Sequence, residues 1–270
     1  MRLARSAAAV IGATILILAG AMALAAPWLA PYDPIRQDID IRLQPPSRAH
    51  VLGTDSLGRD LLSRLIYGSR PTLGLVALVA VLMVPIGLGV GILAGYVGGW
   101  TERALMGLTN VVMAFPSLVL ALAFVGLLGP GLLNAAFALV LTGWPAYARL
   151  ARAETLVLRR SDYIAAAEMQ GITGWRLLWG HVLPSCIPSA QIRLALDLAG
   201  VILAAAALGF LGLGIRPPTP EWGMMIAEGS RVVFDQWWVA AFPGAAIFLV
   251  SFAFNALADG LRDLGDPRHG

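Results

Sequence analysis

Continuous runs of apolar residues constrain the fold of this 270-residue chain more than any other feature of its sequence. Six of these runs reach the roughly 20 residues that a membrane-spanning helix needs. Because they are continuous rather than alternating, they predict helices and not the strands of a membrane barrel. The sequence therefore predicts an all-α integral membrane protein with six transmembrane helices. The runs are 7–30, 72–96, 104–128, 131–149, 188–210 and 237–257.

The composition supports a membrane protein and excludes nucleotide binding through a lysine-containing phosphate loop. Hydrophobic residues make up 58% of the chain and charged residues only 13%, whereas soluble domains carry about 25% charge. All 19 basic side chains are arginine. The phosphate loop GxxxxGK[ST] is therefore excluded, because it requires a lysine. A net charge of +3 is explained by arginines at helix ends, so no nucleic-acid partner is predicted.

The positions of the arginines predict an orientation in the membrane. Arg2 and Arg5 precede the first apolar run, which favours a cytoplasmic N-terminus. The run is longer than the 7–15 residues of a signal-peptide core, so segment 1–30 is predicted to be a retained first helix. Six spans then place the C-terminal tail, 259–270, and the arginine-rich loop 150–187 in the cytoplasm.

The first outer loop, 31–71, is predicted to contain an amphipathic helix. Its first part is rich in proline and is predicted to be irregular. Thr54 can cap a helix there, with Asp55 near its positive end. The helix, with a leucine-rich apolar side, is predicted to lie either in the membrane interface or on the outer face of a partner. That side consists of Leu57, Leu61, Leu62, Leu65 and Ile66.

Glycine and proline shape the five-helix core predicted for 72–258. Gly87, Gly91 and Gly95 recur every four residues in span 2, which favours close approach of another helix. Pro85 and Pro116 lie inside spans 2 and 3 and are predicted to kink them.

Three polar residues inside spans are candidates for the translocation path. Arg193 and Asp197 lie four residues apart in span 5 and share one helix face. They form either a local ion pair or a polar wall of the path, and both interpretations stay open. Asn110 in span 3 is predicted to form a hydrogen bond between helices or to line the path.

Between spans 5 and 6, a proline-rich outer segment holds Glu221 and Trp222. Trp222 is predicted at the membrane interface, and Glu221 either fixes the loop or contacts a ligand. The histidines His50, His181 and His269 fall in no metal-binding or catalytic motif, so neither a metal site nor an active site is predicted. A single cysteine, Cys186, allows no internal disulfide.

A polar, alanine-rich helix in the loop between spans 4 and 5 carries the most specific motif. It resembles the cytoplasmic EAA loop of bacterial ABC-importer permeases in an alanine run, a following glycine and a Leu-Pro pair. Further blocks resemble the dipeptide, oligopeptide and nickel subgroup, and within it the C-type permease of the pair. These blocks include Leu52-Gly53-Thr54-Asp55, Gly209-Phe210-Leu211-Gly212-Leu213-Gly214 and Pro217-Pro218-Thr219-Pro220-Glu221-Trp222-Gly223.

The resemblance implies a type I ABC importer permease fold in which the EAA loop is a coupling helix held by an ATPase. The family has a glutamate where this chain has Ala165, and Glu168 is predicted to substitute for it. Ala166, Ala167 and Gly171 would form the small-residue surface of the helix. The coupling residues implied by position are Tyr163, Ala165, Ala166, Ala167, Glu168, Gly171, Leu183 and Pro184.

The function implied by the resemblance is ATP-driven import of di- or oligopeptides across a bacterial inner membrane. The implied partners are a homologous second permease, two ATPase subunits that use ATP and magnesium, an outer substrate-binding protein, and membrane lipid. No cofactor is predicted on this chain itself. A nickel or metal-chelate importer is one alternative, and an ATP-independent channel or secondary transporter is another.

Overall fold

Long helices form where the sequence has long apolar runs, because backbone groups inside a bilayer must find their hydrogen bonds within the segment itself. The computed structural model describes residues 7–265, with side chains up to residue 262. Within that range no strand forms, apart from an isolated bridge between Thr54 and Asp60. Arg2, Arg5 and His269, on which parts of the sequence predictions depend, lie outside the described residues.

The described chain forms ten helices, with one additional 3-10 turn at Ile39–Ile41. They are α1 (Ala7–Leu24), α2 (Ala26–Leu29), α3 (Leu61–Val97), α4 (Gly99–Met113), α5 (Ser117–Leu128), α6 (Leu132–Leu158), α7 (Asp162–Met169), α8 (Trp175–Phe210), α9 (Trp222–Ser230) and α10 (Trp238–Gly265). The predicted all-α fold is confirmed.

Four helices of the described chain, α1, α3, α8 and α10, are long and apolar enough to cross a membrane. The pair α4 and α5 would be a fifth span if the two helices are counted together. Helix α6, the predicted fourth span, does not meet the same criterion, since its second half carries Arg149, Arg152 and Glu154. The count of six spans stays a prediction.

The predicted interfacial helix in the first outer loop is wrong as a separate element. Leu61 is the first residue of α3, which continues without interruption to Val97. The Thr54 hydroxyl caps no helix and instead donates to the Ile41 carbonyl at 2.5 Å. The cap is Asp60, whose carboxylate accepts from the Ser63 backbone N–H at 2.8 Å. The leucine-rich side predicted to lie in the interface is therefore the first part of a long helix.

Two further boundaries differ from the sequence prediction. The predicted span 104–128 is a pair of helices bent by 91° across residues 114–116. Pro116 lies in this break, where its missing N–H and its ring oppose a continuous helix. At the other end of the chain, α10 runs on to residue 265 through the first part of the predicted tail 259–270.

The chain divides into two compact units, and unit 1 comprises residues 1–78, 122–137 and 195–270. Its core is built around Trp222, which is 1% exposed, and includes Leu61, Ile202 and Met225. Helix α1 packs closely on α10. The approach is so close at Gly12 that an added methyl group would lie 2.8 Å from the Leu257 nitrogen.

Unit 2 comprises residues 79–121 and 138–194. Here α3 packs on α6 through the three regularly spaced glycines. A Cβ atom at Gly95 would lie 2.8 Å from the Cβ of Thr155, and one at Gly91 would collide with the Ala148 carbonyl oxygen. One at Gly87 would collide with Tyr147. The close helix approach predicted from these glycines is confirmed.

Candidate functional site

Helix α7 begins at a side-chain cap, which explains why a short polar segment is helical. The Ser161 hydroxyl accepts from the Ile164 backbone N–H at 3.5 Å, and Ser161 itself is in the extended conformation typical of a cap. Asp162 then places a negative charge in the first turn, where it interacts favourably with the helix dipole. The polar residues before the alanine run therefore determine where α7 starts.

The end of α7 explains the glycine of the motif. Gly171 has a φ of 81°, in the left-handed region that glycine adopts without steric cost. Its N–H donates to the Glu168 carbonyl at 2.9 Å, and the Ile172 N–H donates to the Ala167 carbonyl at 3.1 Å. This pair of bonds is a Schellman motif, which satisfies the last carbonyl groups and ends the helix. Gly171 is thus a helix terminator.

Only one side of α7 is available to a partner. Ile164 is 1% exposed and Ala167 5% exposed, so both pack against their own chain. Ala165 and Glu168 are exposed and lie three residues apart on the outer side, next to Met169, which is 85% exposed. The predicted small-residue surface needs correction, because Ala167 faces inward. We call Asp162, Ala165, Glu168 and Met169 the outer face of α7.

A hydrogen bond that sequence reasoning missed ties α7 to α8. The Tyr163 hydroxyl and the His181 Nδ1 atom are 2.7 Å apart, with ring centroids separated by 5.4 Å. His181 lies in a π-helical stretch of α8, Leu178–Val182, a distortion that often occurs at functional sites. The Leu183-Pro184 pair of the motif follows within α8. A tyrosine and a histidine 18 residues apart in one loop gave no periodic signal.

Arginine side chains hold the end of unit 2 from which α7 emerges. The Arg159 Nη1 atom donates to the Tyr96 carbonyl at 2.9 Å, and its guanidinium lies 5.8 Å from the Tyr96 ring centroid. Arg152 forms an ion pair with Glu102, with its Nε atom donating at 2.7 Å. The Arg152 pair joins the start of α4 to the second half of α6, and the Arg159 contact joins the residue after α6 to the end of α3. The chain that leads into α7 is therefore fixed by side-chain contacts to α3 and α4.

The structure gives each candidate path residue a neighbour. The Asn110 side-chain oxygen accepts from the Arg149 Nη2 atom at 2.8 Å, which accounts for this polar residue by a bond between helices. The Arg193 guanidinium lies 5.9 Å from the ring centroid of Tyr147. Asp197 lies one turn later in α8. Their role in a translocation path stays a prediction.

Glu221 and Trp222 are buried, which makes the predicted interface position of Trp222 wrong. The Trp222 indole N–H donates to the Leu65 carbonyl at 2.9 Å inside the core of unit 1. Glu221 caps α9 by accepting from the Gly223 N–H at 2.8 Å and the Met224 N–H at 2.9 Å. Burial raises the pKa of the Glu221 carboxyl, and these two hydrogen bonds oppose the shift. Glu221 therefore fixes the loop.

Gly209, in the Gly209–Gly214 block, provides the space for the Glu221 carboxylate. A Cβ atom at Gly209 would collide with the Glu221 Oε2 atom. Two sequence blocks that resembled the permease subgroup separately are thus joined at one contact. The glycine is required there because a buried carboxylate approaches the backbone.

A buried charge cluster in unit 1 was not predicted as a site. Asp55 accepts from the Arg59 Nε atom at 2.6 Å and lies 3.3 Å from the Arg64 Nε atom. Glu228 of α9 accepts from both arginines, at 2.8 and 3.0 Å. All except Glu228, which is 24% exposed, are almost completely buried. We call these four residues the charge cluster.

The side chains of the charge cluster and of the outer face of α7 are suited to ion pairing and to binding. Within residues 7–262, no group of three or more His, Cys, Asp or Glu side chains is arranged to hold a metal ion. The charge cluster connects the segment before α3, and the start of α3, to α9. The outer face of α7 presents a carboxylate and a large apolar side chain. One of these regions is internally paired, and the other is open.

Two family models match the sequence. The model for the binding-protein-dependent transport system inner membrane component matches residues 87–269. The model for the N-terminal TM domain of oligopeptide transport permease C matches residues 1–46. The first match alone covers more than half of the chain.

Individual relatives match along nearly the whole chain. The probable D,D-dipeptide transport system permease protein of Escherichia coli strain K12 is 43% identical over 261 residues, which are 97% of this chain and 88% of the relative. The di/tripeptide transport system permease protein of Pseudomonas aeruginosa strain UCBPP-PA14 is 45% identical, over 91% of this chain and 83% of the relative.

Among solved structures, the chain is similar to one of the MetNI methionine ABC transporter in inward-facing conformations. The TM-score is 0.56 at 18% identity, over 73% of this chain and 96% of that chain. At this level of identity the similarity concerns the fold alone.

Proposed function

This chain belongs to the family of binding-protein-dependent transport system inner membrane components, and we propose that it forms half of the path of an ATP-driven peptide importer. The predicted family and the predicted ABC importer permease fold are confirmed. The chain is accordingly a multi-pass protein of the inner membrane and a transport subunit. The proposal concerns its substrate, its partners and the residues that contact them.

Peptides are the proposed substrate class. Two relatives that match over 97% and 91% of this chain are named as a probable D,D-dipeptide and a di/tripeptide transport system permease protein. A nickel or metal-chelate substrate is a separate outcome of the experiment below.

The observation that carries the coupling proposal is the outer face of α7. A short helix that is capped at both ends, buried on one side and tied to α8 presents Glu168 and Met169 outward. We infer that a separate ATPase subunit holds this face. Small side chains such as Ala165 permit close approach, and Met169 offers a flexible apolar contact.

Movement of the ATPase would reach the spans through two direct routes. One is the hydrogen bond from Tyr163 to His181, which leads into α8. The other is the connection from α6 to α7, braced where Arg159 meets Tyr96. Because both routes are short and well packed, a shift of α7 would be transmitted to the membrane helices as a rigid movement.

The remaining partners are proposed from the family. A homologous second permease would complete the path, a substrate-binding protein would deliver peptide to the outer side, and lipid would surround the apolar helices. Both termini would lie in the cytoplasm.

Reconstitution tests the proposal. The chain would be incorporated in liposomes with its partner permease, two ATPase subunits and the binding protein, and uptake of labelled di- and tripeptides would be measured. We expect uptake that requires ATP and every subunit. Peptide flux through this chain alone, without nucleotide, would contradict it. Uptake of nickel complexes in place of peptides would reassign the substrate.

A further inference from the structure

A polar pocket of about 480 Å³ in unit 2 opens beside α4 and α6 and is not used by any role described above. The side chains of Glu102, Arg103, Asn110 and Arg152 contribute to its wall. The space beside Gly107 is open, because a Cβ atom there would have no neighbour within 4 Å. The pocket therefore has room for a small polar molecule.

The charges around this pocket leave one cation available. Arg152 is paired with Glu102, and Arg149 is bonded to Asn110. Arg103 is exposed, and among the described residues it has no hydrogen-bond or ion-pair partner. Arg149 and Arg152 add two further positive charges close by, and only one of them is paired with a carboxylate. A ligand with an anionic group at one end fits this arrangement.

The pocket lies at the end of unit 2 that carries α7. Glu102 is in the first turn of α4, which directly follows the end of α3. That end is held by Arg159, whose Nη1 atom bonds to the Tyr96 carbonyl just before α7 begins. If α7 faces the ATPase, as proposed, the pocket is at the cytoplasmic end of the chain.

We propose that this pocket receives the α-carboxylate of a transported peptide near the exit of the path, with Arg103 as the recognising group. The inference rests on the proposed peptide importer. A guanidinium binds a carboxylate through two parallel hydrogen bonds, which a lysine cannot reproduce. Because Arg103 is exposed, the interaction is weak, as release into the cytoplasm requires. Asn110, which also lines the pocket, is held by its hydrogen bond from the Arg149 Nη2 atom.

Equilibrium binding to the complete permease–ATPase complex, without binding protein, tests this assignment. The probes are a radiolabelled dipeptide and the same dipeptide with an amidated C-terminus. We expect the Arg103→Gln complex to bind the free acid about fivefold more weakly than the natural complex, in the range of an exposed charge pair. Binding of the amide is expected to be unchanged, because the amide has no carboxylate to lose.

Two variants control for charge and for structure. Arg103→Lys keeps the charge and is expected to recover part of the preference for the free acid. Arg231→Gln removes another exposed arginine, in unit 1, and is expected to change neither affinity. Equal weakening of both probes by Arg103→Gln, or no weakening of either, would overturn the assignment. So would an absence of free-acid binding to the natural complex.

The same preparation separates this inference from the proposed function. ATP-dependent peptide uptake by the natural complex, with binding protein, tests the importer alone. If uptake occurs and Arg103→Gln does not distinguish the two probes, the pocket assignment fails and the importer stands. If no peptide is taken up, the importer proposal fails first.

Discussion

The charge cluster of unit 1 and the outer face of α7 in unit 2 both consist of conspicuous polar residues, but they use them in opposite ways. Asp55, Arg59 and Arg64 are buried and form ion pairs with one another and with Glu228, although the Arg64 Nη1 atom has no hydrogen-bond partner among the described residues. Glu168 is exposed beside Met169. The difference shows that charge in this chain holds elements together where it is buried and remains available to partners where it is exposed.

The physical cause is the cost of removing a charge from water. A buried charge costs several kcal/mol unless it is paired with good geometry. The cluster meets this condition with bonds of 2.6 to 3.0 Å from the two guanidinium groups. On α7 the solvent satisfies Glu168, so a partner can replace that water without disturbing the chain. The comparison predicts large stability effects in the first region and small ones in the second.

Asp55→Ala is expected to have the largest effect. It removes a carboxylate that contacts both buried arginines, and breaking a buried pair in this way costs about 3–5 kcal/mol. The thermal unfolding midpoint in detergent should fall markedly, or the protein should not accumulate. Asp235→Asn, an exposed aspartate of the same unit, is the control and should behave as the natural protein. A normal midpoint for Asp55→Ala would contradict the structural role of the cluster.

Gly91→Ala sharpens the comparison from the side of unit 2, where packing rather than charge holds α3 on α6. The added methyl group would collide with the Ala148 carbonyl oxygen, and such overpacking costs about 1–3 kcal/mol. Gly89→Ala is the matched control two residues away, because its methyl group would meet nothing within 4 Å. The control should be neutral or slightly stabilising. Equal unfolding midpoints for the two variants would contradict close packing of α3 on α6 at Gly91.

These contacts also show how far the sequence predicts the fold. Apolar runs predicted the long helices, and regularly spaced glycines predicted that another helix approaches α3 closely, because both signals are local and periodic. That the other helix is α6 is known only from the structure. The break at Pro116 was underestimated as a kink. The start of α3 was misplaced because Thr54 and Asp60 are both good capping residues, and only the structure shows that Asp60 accepts the bond.

The candidate sites were predictable to a smaller extent. The motif located α7, but the sequence did not reveal that Ala167 faces inward or that Tyr163 meets His181. The charge cluster joins Asp55 to Glu228, across a separation that no sequence period can indicate. Contacts between residues far apart in sequence depend on tertiary packing, which a single sequence does not encode in a readable pattern.

Gly171→Ala is expected to have an intermediate effect, confined to the end of α7. An alanine at a φ of 81° is strained by about 1 kcal/mol, although no neighbour obstructs its methyl group. Faster amide hydrogen exchange at the Schellman bonds would report the loosened helix end. Gly180→Ala, at an exposed helical glycine with nothing within 4 Å, provides the comparison and should not increase exchange. Unchanged exchange in Gly171→Ala would remove the capping role.

Glu221 tests the same contrast by pH. It is a buried carboxylate, and the groups that form hydrogen bonds with it, on Thr72, Gly223 and Met224, carry no charge. Its pKa is raised by burial, so folding favours the protonated form. The resulting stability is present below the ordinary glutamate range and is lost as pH rises through the raised folded-state pKa. The unfolding midpoint of the natural protein should therefore fall relative to Glu221→Gln as pH rises. A difference in midpoint between the two proteins that does not change with pH would contradict a raised pKa for Glu221 in the folded state.

Glu168→Ala should change stability least, by less than about 0.5 kcal/mol, as expected for an exposed side chain away from any cap. Its effect should appear only in the complex, as weaker copurification of the ATPase subunit. Ala165→Glu introduces the carboxylate that the family has at that position, on the same exposed side of α7. Combined with Glu168→Ala, it should restore copurification, since either residue can present a carboxylate to the same partner. If Glu168→Ala leaves copurification and transport unchanged, Glu168 does not substitute for the missing glutamate. If it lowers the unfolding midpoint as Asp55→Ala does, the distinction between the two regions is wrong.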